Sequence, residues 1–415
     1  MRNCKALLLL LVFSIILIIN NQIRAEISKV GSSDQFIRTR GVQFIQNGKP
    51  FYANGFNAYW LMYIGTDPSE RYKVTAAFSD AEKHGLSIVR TMAFNDGPGN
   101  RTLQSSPGIY NEPVFQGLDF ALSEARKYGM KVLLCLSNNF KDFGGKIQYV
   151  EWGRSKGQRI RTEDGFYTNA VVKEMYKNHV MRVLNRRNTI TGIIYKNDPT
   201  IMGWELINEP RCYTDKSGAT VQSWIKEMAA YVKSIDNNHM VAVGMEGFYG
   251  PSHAGRQQNN PTFQVGTDFI ENNLIRDIDF ATIHMYPDKW IGGSSEVKED
   301  AFLNDWINNH VQDAQNIIRK PLIFTEFQKN SKDPGFNIVQ RDNMFKTIYS
   351  AVYLSAVRRG AVSGALFWHL LTTGLDSFRD GNAIILSEKT STNILIAEES
   401  AKLKKITNMY ASIDS

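Results

Sequence analysis

Cysteine is scarce, with three in 415 residues, and Cys4 lies in an N-terminal stretch that reads as a leader. The other two, Cys135 and Cys212, allow one disulfide at most. That is too few for a cystine-framed fold, so a large apolar core has to hold the chain together. Cys135 ends the buried-strand pattern KVLLC, which favours a free thiol, and spacing alone leaves the pairing open. No two of the seven histidines stand at H-E-x-x-H or another close ligand spacing, so nothing in the sequence argues for a metal. His84, His179, His239, His253 and His310 are expected to face solvent or bond locally. The Gly-rich stretch 97–108 lacks a P-loop or dinucleotide fingerprint, and no cofactor is expected. Dense Lys/Arg clusters and repeated aromatic-basic patterns are also missing, which argues against a nucleic-acid partner. No Pro/Ser-rich linker and no repeated sequence divide the chain, so one domain is expected.

The N-terminus does hold a pattern. Residues 1–5 carry two positive charges, residues 6–19 are apolar except for Ser14, and residues 20–25 turn polar and end on Ala25. These are the three regions of a secretory signal peptide. The apolar run is shorter than the roughly 20 residues that span a bilayer, and nothing similar recurs downstream. The reading is a signal over 1–25 and a mature chain over 26–415. A retained membrane anchor is the alternative. The leader's charged residues are Arg2, Lys5 and Arg24, so its removal takes the net charge from +7 to +4. A secreted, extracellular or cell-wall monomer, free of the membrane after cleavage, is expected. Asn100-Arg101-Thr102 is then a glycosylation acceptor on an exposed segment.

Eight short apolar runs follow, beginning near Phe51, Ser87, Lys131, Ile201, Met240, Asp279, Pro321 and Gly364. Their starts lie 36 to 44 residues apart, except for one 70-residue interval after the third. Amphipathic helix patterns fill the gaps, as at 69–84, 113–128, 168–184, 221–235 and 343–357. Buried strands alternating with helices argue for parallel βα units, and eight of them for a closed α/β barrel of the (β/α)8 TIM type. Residues 36–50, with the turn pair Asn47-Gly48, are expected to form a hairpin cap at the bottom. The long interval holds an enlarged loop after strand three, residues 138–165, on the side where barrel enzymes build their sites.

The strand ends gather a set of residues that packing does not explain. They are Trp60 after strand one, Arg90 on strand two, Asn138 after strand three, Asn208 and Glu209 after strand four, His284 and Tyr286 on strand six, Glu326 on strand seven and Trp368 on strand eight. Acids and Arg are seldom buried unpartnered. Two carboxyls at one mouth suit glycosidic cleavage, in which one protonates the leaving oxygen and the other meets the sugar carbon. Glu246, after strand five, is a further cleft candidate.

Six stretches carry a resemblance: GFNAYWLM (55–62), VRTMAFNDG (89–97), FGGKIQYVEWG (143–153), DPTIMGWELINEPRC (198–212), DFATIHMYP (279–287) and KPLIFTEF (320–327). In this order they resemble the plant endo-β-mannanases of glycoside hydrolase family five. The resemblance implies a secreted retaining endo-hydrolase of β-1,4-mannosidic linkages in mannans, glucomannans and galactomannans. Transfer to a second sugar would be an additional outcome. It implies Glu209 as acid/base, Glu326 as nucleophile and Asn208 on the sugar 2-hydroxyl. Arg90, His284 and Tyr286 would hold the nucleophile, Trp368 would floor its subsite, and Trp60, Asn138 and Trp152 would serve the rest of the cleft. The chain departs from the family pattern at Met92, where a Trp is usual, at Gln328 for Gly and at His369 for Gln. These bear on rate and polymer preference, and the Gln328 side chain, two residues beyond Glu326, is expected to reach into the cleft. A β-1,4-glucanase and a wall-polysaccharide-binding protein with weakened catalysis are the alternatives.

Overall fold

The computed structural model describes residues 35–413; the leader, Cys4 and the junction at Ala25 lie outside the described residues. Eight parallel strands form the barrel: β1 Ala53–Asn57, β2 Ile88–Met92, β3 Lys131–Cys135, β4 Ile201–Glu205, β5 Met240–Ala242, β6 Ala281–Met285, β7 Leu322–Phe327 and β8 Val362–Phe367. They pair in the order β5-β4-β3-β2-β1-β8-β7-β6. The seam between β5 and β6 is bridged by the Asp279 amide on Val241 O at 2.8 Å and the His284 amide on Glu246 O at 3.0 Å. Each of the eight apolar runs read from the sequence overlaps one of these strands.

Eight helices follow the strands in turn: α1 Arg71–Lys83, α2 Glu112–Lys127, α3 Ala170–Leu184, α4 Ala219–Ile235, α5 Phe269–Leu274, α6 Glu296–Asp313, α7 Ile338–Val357 and α8 Ser391–Ile413. α7 starts earlier than its apolar periodicity suggests, because Asn337 and Gln340 close a capping box ahead of it. Strand alternation sorts side chains into two cores. Ala53, Ile88, Leu133, Met202, Met240, Ile323 and Leu366 point into the barrel. Val89, Val132, Leu134, Val241, Leu322 and Phe324 face the helices.

Ahead of β1, Arg38–Arg40, Gln43–Gln46 and Lys49–Pro50 form a three-stranded antiparallel meander. Its turn at Asn47 and Gly48 has φ of +50° and +75°, the backbone that the Asn-Gly pair suits. Phe44 and Ile37 join the barrel-interior cluster, so the meander plugs one end. Phe44 is fully buried against Phe280 at 5.4 Å between ring centroids. Phe44→Ala should therefore lower stability by about 3–5 kcal/mol, read as a shift of the urea midpoint.

Candidate active site

Both acid-bearing strands break alternation. On β7, Leu322 and Phe324 face the helices and Ile323 faces inward, so strict alternation would turn Glu326 outward. Ile283 pairs with Phe324 but His284 pairs with Glu326. This slip past Thr325 turns Glu326 into the mouth. On β4 the register also slips past Met202. Ile201 and Trp204 both face the helices, which leaves Glu205 pointing inward. Gly203 is required there, since a Cβ would lie 2.6 Å from Met240 O. Beyond Glu205 the chain stays tied to the strand-five side through Ile207 N on Val243 O at 3.1 Å and Glu209 N on Gly244 O at 2.8 Å. Glu209 has φ +49°, a left-handed backbone that only enforcing surroundings hold in a non-glycine residue.

Arg90 joins these elements. Its guanidinium donates to Glu205 Oε2 at 2.6 Å, Glu326 Oε1 at 2.6 Å, Asn57 Oδ1 at 3.0 Å and Asn208 Oδ1 at 2.7 Å. Asn208 passes the chain on, donating to Asn138 Oδ1 at 3.1 Å. Tyr286 donates its hydroxyl to Glu326 Oε2 at 2.7 Å, so both oxygens of Glu326 are engaged. His284 faces the other acid: its Nδ1 is 2.6 Å from Glu209 Oε1 and 3.7 Å from Glu326 Oε2. Its hydrogen bond therefore goes to Glu209, not to the carboxyl that the resemblance assigned it.

Burial pushes both carboxyls above the usual glutamate range. On Glu326 the push is opposed by Arg90 and the Tyr286 hydrogen bond; on Glu209 it is opposed by Arg211 and Arg90. Glu326 has direct donors on both oxygens, which favours ionisation there first and leaves the remaining proton on Glu209. Burial brings His284 down to about 4, so the ring beside Glu209 is neutral near pH 6. Burial and then Glu209 push Glu246 up to about 8 against the pull of Arg211, which grips both its oxygens at 2.9 and 2.6 Å.

The mouth opens into a cleft of about 690 Å³. Its lining includes Asn138, Phe140, Arg211, Glu246 and Phe263, together with Tyr59, Trp368, Asp380 and Asn382. Trp368 stacks on Tyr59 at 5.7 Å and 19° and is joined to His369 by a cis peptide bond. Met92 lies in the lining where the family pattern has Trp.

Three expectations are corrected. Trp60 is fully buried with its indole N–H on Leu370 O at 2.8 Å; its neighbour Tyr59 takes the cleft position. Trp152 packs edge-on to Tyr149 inside the helix Gly145–Ser155 and lies outside the cleft lining. Gln328 is fully buried and donates to Asn382 O at 2.7 Å rather than entering the cleft. The enlarged loop divides its work. Asn138, Phe140, Asp142 and Phe143 line the cleft, while buried Lys146 pairs with Asp164 at 3.0 Å and donates to Arg211 O at 2.9 Å, bracing the segment after Glu209.

Two further site residues carry a sequence signal: Glu205 is an acid inside an apolar run, and Arg211 stands two residues beyond Glu209. His239 and His310 are buried and bond locally, to Asp236 and to Trp306 O, whereas His179 is buried and bonds the distant Ala93 O rather than facing solvent. Cys135 and Cys212 are both buried free thiols. Asn100 is exposed. Glu209, His284 and Glu326 each bring one ligand atom within 4.8 Å of the others. A cation there would meet the Arg90 guanidinium on Glu326, so the arrangement suits a shared proton better than a metal.

A barrel whose mouth holds two close carboxyls, one hydrogen-bonded to Arg and Tyr and the other to a neutral His, is the architecture of a glycoside hydrolase. The family description "GH family 5 beta-mannosidase-like" matches residues 34–379, and the chain belongs to that family. It is 55% identical over 379 residues to mannan endo-1,4-beta-mannosidase 7 of Arabidopsis thaliana, covering 91% of this chain and 88% of the relative. It is 52% identical to mannan endo-1,4-beta-mannosidase 1 of Oryza sativa subsp. japonica, covering 98% and 94%. The solved endo-1,4-beta-mannanase of Rhizomucor miehei superposes with a TM-score of 0.75 at 31% identity, covering 89% of this chain and 99% of that one.

Removing Arg90 would leave Glu205 and Glu326 buried without a counter-charge. Arg90→Ala should cost about 3–5 kcal/mol of stability at neutral pH, measured by denaturant unfolding. Without Arg90, Glu326 would lose a charge that opposes the upward push of burial, so its folded-state pKa would rise further above the unfolded one. Its penalty is small below the ordinary glutamate value and grows as pH rises from there to the raised one. The deficit against the unsubstituted chain should therefore narrow as pH falls.

Proposed function

We propose that the protein hydrolyses internal β-1,4-mannosidic bonds of mannan-type polysaccharides with retention of configuration. The observation that carries the reading is the carboxyl pair, with one oxygen of Glu209 and one of Glu326 within 4.8 Å of each other. That separation suits direct attack better than the wider gap that leaves room for a water. Glu326, ionised and oriented by Arg90 and Tyr286, attacks the anomeric carbon. Glu209 gives its proton to the departing glycosidic oxygen as the carbon–oxygen bond breaks, leaving a glycosyl ester on Glu326. Water, giving its proton to Glu209, then attacks the anomeric carbon as its bond to the Glu326 oxygen breaks, which frees the Glu326 carboxylate and restores both groups.

Asn208, fixed between Arg90 and Asn138, is placed for the 2-hydroxyl of the sugar at the cleavage point. Trp368, backed by Tyr59, offers a flat apolar face for sugar C–H groups. The preference for mannan is supported by relatives named for that substrate over nearly the whole chain. The leader pattern supports secretion, which would give the protein access to wall polysaccharides and make the exposed Asn100 a glycan acceptor.

Incubation of the purified protein with mannan and with cellulose tests the substrate. Oligosaccharides should be released from mannan; release from cellulose alone would overturn the assignment. Glu209→Ala should lower kcat/KM by about 10²–10⁴-fold with the circular dichroism spectrum unchanged. Activity requires Glu326 ionised and Glu209 protonated. It should fall as pH drops through the Glu326 value and again as pH rises through the raised Glu209 value. The basic limb should disappear from the residual pH profile of Glu209→Ala.

A further inference from the structure

The loops that follow β7 and β8 are fastened to one another along four successive carbonyls. Lys332 Nζ donates to Arg379 O at 3.2 Å, Asn330 Nδ2 to Asp380 O at 3.2 Å, the Ser331 amide to Gly381 O at 2.8 Å and Gln328 Nε2 to Asn382 O at 2.7 Å. From α7, Arg341 spans both loops, donating to Gly381 O at 3.1 Å and Lys329 O at 3.0 Å. His369 adds a side-chain hold, its Nε2 lying 3.2 Å from Asp380 Oδ1.

Gln328 and His369 are fully buried. Burying an amide and an imidazole is unfavourable unless their hydrogen bonds are made. The Gln328 donor and the His369 Nε2 both run to this one turn, while Gln328 Oε1 accepts from the Lys329 amide at 2.9 Å. The turn brings Asp380 and Asn382 to the cleft wall beside Tyr59 and Trp368. Asp380 Oδ1 also accepts from the Asn382 amide at 2.8 Å, and Oδ2 accepts from Asn382 Nδ2 at 3.0 Å. Acceptor capacity remains on Asp380 Oδ2 and on the Asn382 side-chain oxygen. Burial works against the Asp380 charge, but His369 and Asn382 more than offset it and hold the carboxyl below the usual range, an ionised acceptor. Acceptors beside a stacked aromatic pair suit a sugar, whose C–H face lies on the ring while its hydroxyls donate outward.

We propose that Asp380 and Asn382 accept hydrogen bonds from hydroxyls of a mannosyl unit on the Trp368 side of the cleavage point, and that Gln328 and His369 are positioning residues that hold them there. The proposal rests on the mannan-cleaving reading above.

Steady-state kinetics on mannohexaose tests it. Asp380→Ala and Asn382→Ala should each raise KM about tenfold, the worth of one hydrogen bond of about 1.4 kcal/mol, with kcat changed less than about threefold. Gln328→Ala should show the same KM-only pattern. Combined with Asn382→Ala it should add nothing further, since both would remove one function. Should Gln328→Ala fold poorly, Gln328→Glu replaces the donor by an acceptor at nearly the same size and serves instead. His369→Gln, which keeps a donor, should restore most of the affinity lost in His369→Ala. Unchanged KM in both Asp380→Ala and Asn382→Ala would overturn the sugar contact, and additive losses in the double variant would overturn the positioning role. An unsubstituted chain that leaves mannohexaose uncut would instead count against the function reading. The comparison is then made on Kd for whichever of mannohexaose and cellohexaose the chain binds, where unchanged Kd in both variants again overturns the proposal.

Discussion

The site depends on one buried cation. Arg90 is 4% exposed and reaches residues from β1, β4, β7 and the segment after β4 at once. Burial alone would weaken its charge, but Glu205 and Glu326 more than offset that and keep it charged. A Lys in its place would offer a point charge without the fixed fork that serves four acceptors from one plane. Glu205 never reaches the cleft; its role is to hold one edge of the guanidinium so that the other edge faces Glu326 and Asn208.

The geometry of this cation is possible only because the two acid-bearing strands slip register. Without the slip past Thr325, Glu326 would face the helices with Leu322 and Phe324; without the slip past Met202, Glu205 would do the same. Bulges of this kind re-aim side chains at the rims of barrels, and here two of them bring three charges together. Glu209 lies past the end of its strand and has a different device, a left-handed backbone held by the hydrogen bond to Gly244 O. The unlike supports fit unlike chemical roles. Glu326 is held rigidly on both oxygens, whereas Glu209 has one neutral histidine and faces the cleft.

The frame was legible because mostly apolar strand-length runs recur at a nearly constant spacing and helical periodicity fills the gaps between them. The close residues were legible because an acid, an Arg or an aromatic at a strand end has no packing reason to be there. A register slip has no local signature, so LIFTEF reads as plain alternation and the sequence gives no sign that Glu326 has changed faces. Parity also explains Trp60, since one step along the chain exchanges the cleft for the core and Tyr59 takes the outer place. The partners of Gln328 and His369 could not be foreseen, because the turn they hold lies 54 residues beyond one and 11 beyond the other, in a segment without motif character.

The central claim is that Glu326 attacks the sugar directly while Glu209 serves the leaving group. Proton NMR of the first sugar released from mannohexaose, read before mutarotation, tests it most directly. The account predicts a β-anomeric product. An initial α product would mean single displacement by water, and would contradict both the role given to Glu326 and the significance given to the short carboxyl separation.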